Sequence, residues 1–452
     1  MATPAGDART LPDVHLAAAA DTPASPYRWV ILVFGILAYA ATLFARQNYS
    51  GIQKFIAADL HLDKGTLGLL GSFFFYSYAL FQMPWGVASD TWGSRTITSI
   101  GVIFVAATMV GFAISHSVTE LLFWRAASGV AGAAVYVAMT GGVARWFPHR
   151  ERAMSQTALG GVGGGLGEST AFFLLPAMSI YIASGWRQAT DMVAIGLALI
   201  GVLCAIFLRS APPNRPATTS KPFEGRLLAD PQLWAYTFLY SSFIMAVRIV
   251  QPWIPVYAAD LYLSQGQPIN AAVLGGGLLA VVAYSLLGRG VGCPLGGRLS
   301  DAALKAGIAR TTVATFWLVS AVVLLWILST GMHSIWSLGV TAFLLGVAIN
   351  SFSLIMAAIA DTYGPQRTSS IASFVNMVAQ FAGATGLAIS GYAGISLSAQ
   401  AGNSLAEYRG IWWSAMVGVA VMCGLGVIMQ SRVHKGHKGH KGHQEHKEGL
   451  AF

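Results

Sequence analysis

The chain has 452 residues, of which 55% are hydrophobic and only 10% charged, and its mean hydropathy is +0.60; soluble globular domains carry about 25% charged residues. That balance excludes a solvated enzyme domain and describes a polytopic membrane protein, so the formal net charge of +9 takes its meaning from where the charges fall rather than from an affinity for nucleic acid. Cys204, Cys293 and Cys423 all sit in apolar stretches and form neither a disulfide pattern nor a metal pattern.

Residues 1–26 are rich in Ala, Pro, Thr and Asp and lack a basic region leading into a short apolar core, so they are expected to be a disordered cytoplasmic tail and not a cleaved signal. Apolar stretches long enough to cross about 30 Å of hydrocarbon follow. They fall near 28–50, 66–88, 96–115, 119–142, 153–180, 190–209, 232–259, 272–295, 311–330, 335–359, 368–394 and 409–430. The longest polar interruption, Arg209 to Asp230, divides them six and six. The expected fold class is therefore an all-α membrane protein with twelve transmembrane helices in two six-helix, pseudo-symmetric bundles. Its domains are 27–209 and 231–430, joined by a cytoplasmic linker 210–230 and followed by a His/Lys-rich cytoplasmic tail 431–452. With both termini cytoplasmic, nineteen of the 27 Lys and Arg lie in the tails and even-numbered loops, four lie outside (Lys54, Lys64, Arg187, Arg409), and Arg46, Arg125, Arg248 and Arg289 are embedded. That bias fixes the expected topology.

The embedded arginines are the strongest chemical signal. A guanidinium in hydrocarbon costs at least about 2.5 kcal/mol, so it must meet an aqueous cavity, an anion or a polar partner. Arg46 occupies the first span and Arg248 the matching depth of the seventh, which opens the second half of the chain. The two are expected to face each other across a central cavity and to share one anion, since a planar fork of donors that is always charged chelates phosphate or carboxylate better than lysine does. Because both lie near the extracellular third of the spans as drawn, snorkelling to the interface stays open as the alternative. Glu168 follows the run Gly160 to Gly167, a glycine face suited to close packing and sliding. It has two possible roles: carrying a coupling proton, or serving as a static partner for Arg125 or another embedded arginine. Arg125 itself is expected to be structural. Asn48, Tyr76, Gln251 and Trp253 are candidates for the anion site, with Tyr78, Tyr136, Asn350, Asn376 and Gln380 behind them. Interhelical hydrogen bonds, or an interfacial anchor in the case of Trp253, explain the same residues.

The chain also repeats internally. Gly86-Val-Ala-Ser-Asp90-Thr-Trp-Gly93-Ser-Arg95 stands between spans two and three, and its Gly-x-x-x-Asp returns as Gly297 and Asp301 between spans eight and nine, 211 residues later. Arg152 before span five and Arg367 before span eleven form a second pair, offset by 215. On these residues the chain resembles the major facilitator superfamily, whose loop between helices two and three latches the cytoplasmic side through its acid. The expected gating residues are Gly86, Asp90, Gly93, Arg95 and Asp301, with Thr91 and Thr96 where basic residues are usual. Arg125-Ala-Ala-Ser-Gly129-Val-Ala-Gly132 is similar to the family's fourth-helix motif. Arg46-Gln-Asn48 and Leu67 to Gly86 are similar to the organic anion and organophosphate permeases, among them the anion:cation symporters and the glycerol-phosphate and hexose-phosphate exchangers. In those exchangers one arginine of helix one and one of helix seven hold the phosphoryl group, and Arg46 and Arg248 match these positions. Trp253-Ile-Pro-Val-Tyr257 resembles the segment after the helix-seven arginine, with one residue fewer before the tryptophan and with Gln251 and Pro252 where an acid is usual.

These observations together lead to an alternating-access carrier for a small organic anion, a sugar phosphate or a carboxylate. It would be energised by a proton, by sodium or by counter-transported phosphate. The alternative is a membrane receptor of the same fold that binds the anion without net transport. No cofactor, no metal and no nucleic-acid partner are expected, and no nucleophile and base arrangement suggests an enzyme. The glycine run lacks the Lys-Ser/Thr of a phosphate loop. The spacing of His434, His437, His440 and His443 could hold a transition metal weakly, but contact of a cationic tail with anionic lipid is the default. The expected location is the inner (plasma) membrane, as a monomer in contact with the lipid bilayer.

Overall fold

A computed structural model describes residues 25–147, 151, 154–156, 158–210, 224–332, 334–363, 365–398 and 405–448. Among the described residues the chain is helical throughout its regular structure, and twelve helices form two six-helix bundles. The first bundle contains α1 (Arg28–Leu60), α2 (Lys64–Trp92), α3 (Ser94–Ala113), α4 (Val118–Trp146), α5 and α6 (Trp186–Phe207). Helix α5 opens with a π turn, Ala158–Val162, and continues as Gly163–Tyr181. The second contains α7 (Pro231–Ser264), α8 (Ile269–Lys305), α9 (Arg310–Ser329), α10 (Ile335–Tyr363), α11 (Pro365–Ser398) and α12 (Glu407–Glu448). Within α8 the stretch Ala280–Arg289 is π-wound, and Asn350–Phe352 is a 3₁₀ turn inside α10. The backbone of α12 continues as helix well past 430, the end of the last apolar stretch, into the His/Lys-rich segment.

Local chemistry sets several starts. The Asp63 carboxylate accepts from the Thr66 amide at 2.7 Å to begin α2, Ser117 and Glu120 form a reciprocal capping box on α4, and Asp230 caps α7 with Pro231 in its first turn. Ten of the helices are long and apolar enough to cross a membrane. Those that fall short, α2 and α5, pack across the boundary between bundles, α2 on α11 and α5 on α8. Buried against protein, they carry the small and polar residues that a lipid-facing helix could not.

The helices outrun their apolar stretches. Gln47, Asn48, Ser50 and Gln53, where hydropathy falls, are all buried inside α1. This moves Arg46 and Arg248 from the outer third to the middle of their helices, about 20–27 Å from either end at 1.5 Å per residue. Both are at most 7% exposed, and the snorkelling alternative is thereby removed, since an arginine side chain reaches only a fraction of that distance.

Contacts between the bundles concentrate toward the face opposite the start of α1. There α2 and α11 meet backbone to backbone: a Cβ added at Gly68 would stand 2.9 Å from the Leu387 carbonyl oxygen and 3.2 Å from the Cα of Gly391. Gly277 of α8 lies as tightly against Phe172 of α5. An ionic cluster closes the same face. Lys54 of α1 pairs with Asp260 of α7, Asp260 accepts from the Tyr408 hydroxyl at 2.6 Å, and Lys64 of α2 pairs with Glu407 of α12 at 2.5 Å. Toward the other face, Gly160, Gly161 and Gly165 of α5 and Gly290 and Gly297 of α8 have nothing within 4 Å of where a Cβ would stand. Among the described residues the bundles thus meet tightly at one end of their interface and are parted beside these glycines of α5 and α8 at the other.

Because Lys54 and Asp260 belong to different bundles and are largely buried, Asp260→Asn should weaken the closed face by about 1–3 kcal/mol. A cysteine placed at Val256, now 4% exposed, should then react several-fold faster with a membrane-impermeant thiol reagent. Unchanged labelling would mean that the glycine contacts alone hold this face shut.

Candidate functional site

Four helices bring charge to the midplane. Glu168 of α5, 1% exposed, uses both carboxylate oxygens: Oε1 accepts from Nη2 of Arg46 on α1, and Oε2 accepts from Nη1 of Arg289 on α8 at 2.6 Å. The pair with Arg46 is internal to the first bundle, and the pair with Arg289 crosses to the second. Gln251 of α7 borders the same carboxylate. Nε of Arg46 is buried without a hydrogen-bond partner among the described residues.

Arg248 is held differently. Its Nε donates to Oε1 of Gln380 on α11 at 3.0 Å, and its guanidinium lies 4.1 Å from the centroid of Phe75 on α2. Among the described residues no hydrogen-bond partner meets its Nη1 or Nη2. Arg46 and Glu168 lie within its electrostatic reach. Gln380 is itself braced: its Nε2 donates to Asn376 Oδ1 at 3.3 Å, Asn376 Nδ2 donates to Gln82 Oε1 of α2 at 3.1 Å, and the Tyr240 hydroxyl donates to Asn376 Oδ1 at 3.3 Å. Tyr39 and Tyr136, with ring centroids 4.8 Å apart, line the approach from the first bundle, and Tyr39 feels the charges of Arg46 and Glu168.

Among the described residues the cluster therefore holds three guanidiniums (Arg46, Arg248, Arg289) against the Glu168 carboxylate, a surplus of two positive charges. Its groups without a partner among the described residues, Nε of Arg46, which is buried, and the terminal nitrogens of Arg248, are all donors. A buried donor left unmet costs about 1–3 kcal/mol. The chemistry that would relieve all of them at once is an acceptor-only, negatively charged ligand. The side chain of Arg289 is 28% exposed where that of Glu168 is 1%, so Arg289 is the more accessible partner of the pair.

Not every residue expected here is found here. Asn48 is taken up by Arg125, whose Nη1 donates to Asn48 Oδ1 at 3.3 Å and to the Ala45 carbonyl at 3.2 Å. The Tyr76 hydroxyl donates to Thr385 Oγ1 at 3.0 Å across the α2–α11 seam. Trp253, fully buried, donates from Nε1 to Ser390 Oγ at 3.0 Å and packs against Tyr408 toward the closed face. In place of the expected anion contacts these three make interhelical bonds, and Gln251 alone of that group borders the charges. Arg125 is bound by Arg46, Ala45 and Leu70 carbonyls and by Asn48, between the rings of Tyr49 and Phe74. It is not the partner of Glu168. Arg289 was visible as an embedded cation, and its pairing could have been suspected from the need of a deep acid for more than one counter-charge.

The loop motifs act within bundles. Gly93, at φ +83, breaks the chain between α2 and α3, and Arg95 donates from Nε to the Ala205 carbonyl at 2.8 Å, tying α3 to α6. Asp301 pairs with Arg310 at 2.7 Å, and Arg310 pairs with Asp361 at 2.8 Å, joining α8, α9 and α10. Gly86 lies within α2, and the side chain of Asp90 falls outside the described residues, as do those of Asn350, Arg152, Arg367 and the tail histidines. Among the described residues, none of these loop pairs crosses between bundles.

Two bundles of six helices around a charged midplane, closed at one end, are the architecture of a membrane carrier. Residues 35–303 match the family model of the Major Facilitator Superfamily, and the chain belongs to that family. The rice protein "Probable anion transporter 1, chloroplastic" is 25% identical over 64% of this chain and 56% of its own length. The hexuronate transporter of Bacillus subtilis is 23% identical over 80% of this chain and 87% of its own length. The chain spans about half the length of the first curated relatives it matches. A crystal structure of a bacterial homologue of the human lysosomal transporter Spinster, inward-facing and occupied, superposes with a TM-score of 0.73 at 17% identity, covering 90% of this chain and 98% of that one. The fold and the relatives are those of transporters and not of enzymes.

Proposed function

We propose that the chain is a secondary active transporter that moves a small organic anion by alternating access, and that the anion binds at the midplane between Arg46, Arg248 and Arg289. The observation that carries this reading is the surplus of guanidinium over carboxylate among the described residues of the cluster, with Nε of Arg46 buried and unpartnered. The relatives, described as transporters of anions and of hexuronate, support it. The closed end, with the Lys54–Asp260 and Lys64–Glu407 pairs, is the extracellular face, and both termini are cytoplasmic; the distribution of Lys and Arg supports this orientation in the inner (plasma) membrane. The parted end is then the cytoplasmic mouth, and the structure corresponds to the inward-facing state. An anion drawn in past Arg289 gives the closing bundles something to close on, which is the differential binding that any ligand-driven shift requires. A receptor without net transport finds no separate support in the site.

Counterflow uptake in proteoliposomes tests the reading, with glucuronate, glycerol 3-phosphate, inorganic phosphate and sulfoacetate as probes and choline as the cationic control. At least one anion should accumulate, and choline should not. Uptake of none of the four, by protein that reconstitutes in folded form, would remove the anion assignment.

A further inference from the structure

We infer that Glu168 is a built-in counter-ion that lets the empty carrier pass through its occluded state, with Arg289 as its partner from the opposite bundle. The inference rests on the anion-transport reading above and adds how the carrier behaves without cargo.

Closing the bundles over an empty site would strip water from three guanidiniums, and like charges repel most strongly where water has left. The Glu168 carboxylate offsets part of that repulsion and does so across the boundary, because one oxygen is held by Arg46 of the first bundle and the other by Arg289 of the second. It occupies the position a cargo carboxylate or phosphate would take between these two arginines. Among the described residues neither Arg46 nor Arg248 meets any other acid.

The pair is also placed where helices can shift. Glu168 follows the π turn Ala158–Val162, and Arg289 ends the π segment Ala280–Arg289. Such segments carry one residue more per turn than an α-helix and frequently mark functional sites. Among the described residues nothing lies within 4 Å of where a Cβ would stand at Gly290, next to Arg289, or at Gly165, three residues before Glu168, whereas Gly167 is packed against the Ala40 carbonyl and holds the Glu168 backbone on α1. An arriving anion can therefore draw Arg289 away from Glu168 without forcing a packed core apart. The consequence is a mode of transport: a carrier with its own counter-ion returns empty and performs net transport, whereas one without it moves only when loaded and is confined to exchange.

Single-molecule fluorescence tests this without any cargo. Dyes are attached at Trp92→Cys and Leu304→Cys, exposed positions near the parted ends of α2 and α8, after replacement of Cys204, Cys293 and Cys423 by serine. Dwell times are read in nanodiscs in sodium chloride buffer free of carboxylate and phosphate. The parent protein should interconvert between two distances. Glu168→Gln, which raises the surplus from two charges to three, should lengthen the dwells about tenfold or more. Glu168→Gln combined with Arg289→Gln returns the surplus to two and should restore interconversion, which loss of a merely structural contact would not do. A parent that does not interconvert when empty, a Glu168→Gln protein with parental dwells, or a double variant as slow as the single one would each overturn the inference. Failure of all four anions in the uptake assay would instead strike the anion reading, and the dwell times are measured independently of it.

Discussion

Arg248→Lys is expected to lower the initial rate of anion counterflow about 100-fold while the protein still reconstitutes normally. Lysine keeps the positive charge, so a loss on this scale reports geometry. Arg248 is anchored through one nitrogen, Nε to Gln380 Oε1 at 3.0 Å, and its plane is set by Phe75 at 4.1 Å, which leaves Nη1 and Nη2 free to grip a ligand as a fork. An ammonium cannot be anchored by one edge and bind by another. It can offer a ligand one charge-assisted bond in place of two, and such bonds contribute about 1.5–3 kcal/mol each. A loss of about 2.7 kcal/mol corresponds to 100-fold. The effect should appear mainly as a higher KM if the fork grips the anion equally in both facing states, and mainly as a lower maximal rate if the grip tightens on closure. A lysine variant that transports within about threefold of the parent would show that the site reads charge and not the planar fork.

The division into two sets of six helices could be read from hydropathy because ten of the helices are long and apolar enough to cross a membrane. Their ends could not. The stretch from Gln47 to Gln53 is polar in sequence and buried in space, since its surroundings are other helices, and a window average cannot distinguish protein from water. The extension of α1 through this stretch places Arg46 at mid-helix, and the extension of α7 to Ser264 does the same for Arg248. In the site, residue type was informative and partnership was not. Embedded charge pointed to Arg46, Arg248, Arg125, Arg289 and Glu168, the groups that cost most to bury. Which arginine would hold Glu168 depends on how α1, α5 and α8 are rotated, and the π segment Ala280–Arg289, with no obvious mark in the sequence, decides the rotation of Arg289. Asn48 and Trp253 lie close in sequence to Arg46 and Arg248, and Tyr76 belongs to the stretch similar to the anion permeases. Near neighbours on a helix point to different faces, and all three residues have a partner on another helix.

Arg125 offers the clearest separation of a charge that binds cargo from one that holds helices together, and its conservative replacement should be the more damaging. Arg125→Lys is expected to lower the thermal midpoint further than Arg125→Met, with a difference of about 2–4 kcal/mol in stability. The guanidinium spans two helices at once: Nε donates to the Leu70 carbonyl of α2 at 3.3 Å, while Nη1 and Nη2 donate to the Ala45 and Arg46 carbonyls and to Asn48 of α1 at 3.2–3.3 Å. The rings of Tyr49 and Phe74 cover it at 5.2 and 5.0 Å. A lysine would leave its charge in the same buried place, without the splay to reach both helices and without the flat surface to stack. A methionine forfeits the hydrogen bonds, worth on average about 0.6 kcal/mol each between membrane helices, but leaves no charge behind and fills much of the same volume. Thermal unfolding of both variants in detergent, followed by tryptophan fluorescence, separates the cases. If the lysine variant is as stable as the parent, the positive charge alone suffices to join α1, α2 and α4, and the backbone oxygens around Arg125 tolerate any cation.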